Sequence, residues 1–202
     1  MSKYRNISAV GQINNMACWA ACLKWWYRSS MSINASQTTL YNMYKNLATQ
    51  ENGMTDSGMK HVIRQNGMEL LEYGAASEFT WDRVKKLLHF GPIYTAYTET
   101  QAEKDGSIKR HVNVIYEING DGPWADVRVM EPQASEAGGG AFKGKHLTRS
   151  LSNYNIVGSV WAGVHREKYF KDNSYQSAYL ECRARRMWFW QVRKIEARGC
   201  RI

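Results

Sequence analysis

Polar and apolar positions change rhythm about midway along the chain. Residues 1–14 are polar, with no period beyond a short extended piece around Ile7 to Val10. From about Met16 to Ser29 apolar residues then fall almost all round a helix, which predicts burial in the middle of the domain. Ser36 is placed to cap a second helix, Gln37 to about Leu47, with Leu40, Met43, Tyr44 and Leu47 at helical spacing. A third helix is predicted from Ser57 to Gln65, stopped by Asn66-Gly67, then a short strand from Met68 to Tyr73. Thr80 caps a fourth, Trp81 to His89, closed by Gly91-Pro92.

Beyond Pro92 the period is two. Ile93 to Thr98 is rich in β-formers, Glu99 to Arg110 is a charged loop, and His111 to Ile118 alternates. The turn Asn119-Gly120-Asp121-Gly122 leads into Ala125 to Met130, so these two strands are expected to form a hairpin. A Gly-rich loop is expected from Ser135 to Lys145 and a last strand around Ser159 to Val164. Residues 1–90 are thus mostly helical and 92–165 mostly strand, an α+β arrangement of two lobes in which the cleft between lobes is the natural site.

Composition narrows this further. A chain of 202 residues with 44% apolar and 22% charged residues suits one globular domain, here 1–165, with an appendage, 166–202. Eight Trp and twelve Tyr predict a core built largely on aromatics. The formal net charge is +9, and residues 166–202 hold 10 of the 27 Lys+Arg against 4 of the 18 Asp+Glu, so most of the excess lies in the appendage. There Arg183, Arg185, Arg186 and Arg193 interleave with Trp188, Phe189 and Trp190, a mix also found in nucleic-acid binders; docking of the aromatics on the domain is the favoured reading, and no nucleic-acid partner is expected. No apolar run approaches the roughly 18 residues of a membrane-spanning helix, and Met1 to Val10 lacks the apolar segment of a secretory signal, so synthesis in a cytoplasm is expected. Cys18, Cys22, Cys182 and Cys200 show no metal-type spacing and are read as thiols, with a Cys182–Cys200 disulfide as the alternative; no metal or organic cofactor is expected.

The chemistry starts at Cys18. A thiol in the first turn of a helix meets unpaired N–H groups that favour a thiolate. A cysteine hydrolase also needs an imidazole to share the proton, a group to orient that imidazole, and donors for the oxyanion. His111, at the start of a strand in the other lobe, is the candidate base. Glu131, across the hairpin and just before Pro132, is the candidate orienting group, with Asp126 and Asn113 as fallbacks. Gln12, six residues before Cys18, is placed to supply an oxyanion donor beside the Cys18 N–H. Cys22 is read as core, and His61, His89, His146 and His165 as structural or surface residues.

Gln12…Cys18-Trp19-Ala20 resembles the Gln…Cys-Trp-Ala signature of papain-like cysteine peptidases. The short distance to His111, and Val-Arg-Val-Met-Glu131-Pro132 after it, resembles the compact branch that holds bacteriocin-processing double-glycine peptidases and bacterial effector proteases. The resemblance covers roughly residues 8–165. It implies a papain-like two-lobe fold with a central catalytic helix and an antiparallel β-sheet lobe. It implies a cysteine endopeptidase with Cys18 as nucleophile, His111 as base and Gln12 in the oxyanion hole, cutting a protein substrate after small residues of glycine-glycine type. It further implies an effector or interbacterial toxin, delivered into another cell and neutralised by an immunity protein over the cleft. Family members have Asp or Asn where Glu131 stands, one methylene shorter. The competing readings are a housekeeping processing peptidase, an acyltransferase or deamidase using the same Cys-His site, and a basic nucleic-acid-binding module on an inactive scaffold.

Overall fold

The computed structural model describes residues 2–49, 53–74, 78–98, 110–138, 141–154 and 158–172. Two units are distinguished, Met1–His165 and Arg166–Ile202. In the second, a helix spans Arg166–Asp172. The basic and aromatic residues from Arg183 onward, with Cys182 and Cys200, lie outside the described residues.

In the first unit helix α1, Cys18–Trp26, is the hub. Trp19, Ala20, Ala21, Cys22, Leu23, Trp25 and Trp26 are all fully buried, as a helix apolar on every side must be. The helix does not run on regularly to Ser29. It passes into a π-type turn, Tyr27–Met31, and stops where Ser32 adopts a left-handed conformation at φ 58°. Helix α2, Gln37–Tyr44, is capped by Ser36 and packs on α1, stacking Tyr41 on Trp19 with ring centroids 5.7 Å apart. A two-stranded ribbon follows, β1, Ala48–Thr49, and β2, Gly53–Met54. Helix α3, Asp56–Gln65, is capped by Thr55, whose Oγ1 accepts from the Gly58 N–H.

The remaining strands build one antiparallel sheet from β3, Met68–Tyr73; β4, Ile93–Thr98; β5, Arg110–Asn119; β6, Asp126–Gly138; β7, Ala141–Ser150; and β8, Val160–His165, in the order β3-β8-β4-β5-β6-β7. Helix α4, Trp81–Leu88, packs against β5. The edge strand β3 comes from the mostly helical first half, and its backbone completes the ladder on β8, Met68 opposite His165 through Tyr73 opposite Val160. Val112 and Val114 of β5, Met130 of β6, and Tyr94 and Ala96 of β4 join the core around α1. By the two-residue period of a strand, His111 and Asn113 fall on the opposite face of β5.

One expectation is corrected. Ser135 to Lys145 is not a Gly-rich loop: β6 continues to Gly138 and β7 begins at Ala141, with pairings Ser135 to Lys143 and Glu136 to Phe142. One glycine of the stretch, Gly144, serves tight geometry, as does Gly11 in the segment that crosses it. A Cβ on Gly144 would lie 2.4 Å from the Val10 carbonyl, and one on Gly11 would lie 1.8 Å from the Phe142 oxygen. The segment that carries Gln12 crosses β7 backbone to backbone at these two positions.

Candidate active site

Three pieces of chain carry the candidate residues. The first is the approach loop. The Gln12 N–H donates to the Pro132 carbonyl at 3.2 Å, and the Gln12 carbonyl accepts from the Phe142 N–H at 2.9 Å, so this residue is strapped between β6 and β7. The strap uses an irregularity. The register between β6 and β7 shifts between Glu131 and Ser135, around a proline that has no N–H to give to a ladder. Farther back, Ile7 O accepts from Trp25 Nε1, and His146 Nε2 lies 2.8 Å from the same oxygen. His146 is therefore an anchor of the approach segment.

The second piece is the head of α1. Asn14 Oδ1 accepts from the Met16 N–H at 2.9 Å and turns the chain into the helix. The N-cap is Ala17, with no side-chain cap, so no side chain competes for the N–H groups of the first turn. Cys18 is half-buried at that terminus, and the next residue, Trp19, is sealed in the core. Gln12 is itself 1% exposed, yet neither its Nε2 nor its Oε1 meets a partner among the described residues. A buried primary amide left without partners is costly, which marks it as a group kept for something else.

The third piece is the β5–β6 pair. His111 Nε2 lies 2.5 Å from Glu131 Oε1, and both side chains are buried. With Nε2 engaged, Nδ1 is the nitrogen left for the hydrogen bond that the ring makes with the Cys18 thiol. The Tyr97 ring stands edge-on to the imidazole, centroids 5.8 Å apart, and fixes its plane. Asn113 does not reach His111; its Nδ2 donates to the Tyr154 hydroxyl at 2.8 Å. Asp126 pairs with Asn119 at the far end of β5 and is exposed. Of the three acids and amides weighed for the orienting position, Glu131 alone touches the imidazole.

The electrostatics follow from this burial. Desolvation alone would hold His111 neutral, but the Glu131 carboxylate and the hydrogen bonds to Cys18 and Glu131 outweigh it, and the imidazole pKa stands well above the ordinary histidine value. For Glu131 desolvation works upward, and His111, the Arg149 guanidinium and the Gln133 N–H more than offset it, leaving the carboxyl below its usual range. Cys22 is different. Burial, reinforced by Cys18 and Glu131, pushes its thiol well above the usual range, and its Sγ donates to the Val112 carbonyl at 3.2 Å. It is a core residue one turn below the site. Arg149, whose Nη2 donates to Glu131 Oε2 at 2.8 Å, was not legible as a site residue because nothing local in the sequence ties it to Glu131. Among the described residues no group of three His, Cys, Asp or Glu is placed to hold a metal ion.

An imidazole on a β-sheet facing a thiol at the head of a buried central helix is the architecture of the papain-like cysteine peptidases, hydrolases that act on protein substrates. Residues 1–144 match the family model described as papain-like cysteine protease AvrRpt2, and the chain belongs to that family. Among solved structures the fold is similar to the peptidase domain of Streptococcus ComA, a bi-functional ABC transporter involved in a quorum-sensing pathway, with 17% identity, a TM-score of 0.53, and 79% of this chain and 98% of that chain covered. A double glycine motif protease from an AMS/PCAT transporter, solved in complex with the leader peptide, aligns with 13% identity, a TM-score of 0.44, and coverage of 79% and 93%. No curated protein matches the chain.

Gly144→Ala tests the backbone crossing. The added methyl would press on backbone rather than on a yielding side chain tip. It is expected to cost about 1–3 kcal/mol in stability and to displace Gln12. Thermal melting together with peptide hydrolysis checks this, and both should fall.

Proposed function

We propose that the protein cuts polypeptides with Cys18 as nucleophile, His111 as proton carrier, Glu131 as the group that orients His111, and Gln12 as oxyanion donor. The observation that carries this reading is the chain of contacts from Glu131 through the His111 ring to the Cys18 thiol. The thiolate attacks the scissile carbonyl carbon. The resulting oxyanion is held by Gln12 Nε2 and the Cys18 N–H, and His111 passes its proton to the departing amine. Neutral His111 then takes a proton from water, whose oxygen attacks the thioester and releases the acyl fragment.

The two free ends of the Gln12 amide support its place in this scheme, because the oxyanion would satisfy a buried donor. Gln12→Ala is accordingly expected to lower kcat by roughly 10²–10³. It should not lower the melting temperature appreciably, since the change removes an unpaired buried amide rather than a bond. A parallel fall in stability and activity would assign Gln12 to packing instead.

For specificity and biology the reading is a cut after small residues of glycine-glycine type, in an effector or interbacterial toxin made in one cytoplasm, acting in another and restrained by an immunity protein over the cleft. The sequence resemblance to the compact branch supports it. The test is terminal-labelling mass spectrometry of a proteome incubated with wild-type or Cys18→Ala protein. New termini that depend on Cys18 and follow glycine are expected. Cys18-dependent cuts after bulky residues would overturn the specificity, and modified but uncut proteins would replace hydrolysis of peptide bonds by transfer or deamidation.

A further inference from the structure

The two oxygens of Glu131 are used differently. Oε1 faces His111 Nε2 and accepts the Gln133 N–H at 3.2 Å, while Oε2 accepts from Arg149 Nη2 at 2.8 Å. Arg149 stands opposite Val127 in the β6–β7 ladder and Glu131 opposite Lys145, so the guanidinium reaches two pleats along the sheet to make this contact. His111 from β5 and Arg149 from β7 touch the carboxylate, Tyr154 from the turn after β7 and the Cys22 thiol from α1 feel its charge, and Lys145, opposite Glu131 in the ladder, is exposed. Of the two groups that touch it, Arg149 is the permanent cation.

That matters because the partner on the other oxygen changes charge. In the catalytic reading proposed above, on which this inference rests, His111 is an imidazolium beside the thiolate and a neutral ring once it has protonated the leaving amine. Glu131 has a side chain 2% exposed, so bulk solvent does little to stabilise its charge. At the neutral-ring stage a lone carboxylate there would be a buried unpaired ion, prone to take up a proton or swing away. We infer that Arg149 is a positioning residue that keeps Glu131 ionised and aimed at His111 through the stages in which the imidazole is neutral. A guanidinium suits the task because it never releases its proton and its planar fork fixes direction as well as charge.

The experiment compares Arg149→Gln and Arg149→Lys with wild type. Hydrolysis is followed against pH on a fluorogenic peptide built from a wild-type cut site, and the Glu131 carboxyl is titrated by carbon-13 NMR in the Cys18→Ala background. Arg149→Gln is expected to lower kcat about tenfold or more with KM nearly unchanged. The acid limb of its profile and the Glu131 protonation midpoint should both move to higher pH, and Arg149→Lys should recover part of each. Arg149→Met replaces the glutamine variant if that protein does not fold. A folded variant whose acid limb and Glu131 midpoint stay at the wild-type pH would overturn the inference. Cleavage of the same peptide by Cys18→Ala would instead overturn the catalytic reading beneath it.

Discussion

Replacing Cys18 by alanine is expected to abolish peptide hydrolysis while leaving the fold intact. The side chain is half-buried at the head of α1, and its removal deletes one sulfur from the mouth of the site, whereas the next residue, Trp19, is fully buried in the core. Stability should therefore change by less than about 1 kcal/mol. Activity should fall by roughly 10⁴-fold or more, because the covalent path is lost and only binding and oxyanion donors remain. Cys22 supplies the internal control. Its thiol is fully buried, donates to the Val112 carbonyl, and is held protonated by its surroundings, so it cannot stand in for Cys18. Circular dichroism, thermal melting and hydrolysis of one peptide by the two proteins check the claim together.

Glu131→Gln is the second large effect. The amide keeps nearly the shape of the carboxylate but loses its charge and one acceptor oxygen, leaving the His111 ring without its anion and only a neutral amide oxygen for His111 and Arg149, which each have a carboxylate oxygen in the wild type. A loss of roughly 10²–10⁴ in kcat is expected, by analogy with what a neutral orienting group does to an imidazole's tautomer and charge. The same substitution has a distinct stability signature. The His111 pKa is raised in the folded state, so its contribution is fully present below the unfolded histidine value and disappears as pH rises through the higher folded value. The Glu131 pKa is lowered, so its contribution is present above the unfolded carboxyl value and disappears as pH falls through the folded one. Both act together between about pH 4.5 and 6.5, the ordinary values of the two groups. The gap in melting temperature between wild type and Glu131→Gln should be widest in that window and narrow on either side. A gap independent of pH would mean that the pair is held by packing and not by charge.

The parts of this architecture legible in the sequence are those whose signal is local. Cys18 to Trp26 has one possible home, since a helix that is apolar all round must be buried. The alternation in His111 to Ile118, and the turn after Asn119, give a hairpin that carries Glu131 back toward His111. Longer-range features were not legible. The first half of β7, to Lys145, looks like loop because Gly138 to Gly140 and Gly144 dilute its alternation, yet Gly144 is glycine because the Val10 backbone lies against it. Arg149 then has no local reason to be near Glu131; only the ladder register and the length of two side chains bring them together. Gln12 shows the intermediate case. Its spacing from Cys18 is visible in the chain, but its burial with an unpaired amide appears only once β6 and β7 are strapped around it.

In the proposed mechanism Cys18, His111 and Gln12 form one site for acyl transfer. The most direct measurement is a crystal structure of the protein reacted with a short peptide aldehyde ending in glycinal. A bond from Cys18 Sγ to the aldehyde carbon is expected, with the new oxygen about 2.7–3.1 Å from both Gln12 Nε2 and the Cys18 backbone nitrogen. His111 should remain between the sulfur and Glu131. An adduct on Cys22, or an oxygen turned away from Gln12 into solvent, would contradict it.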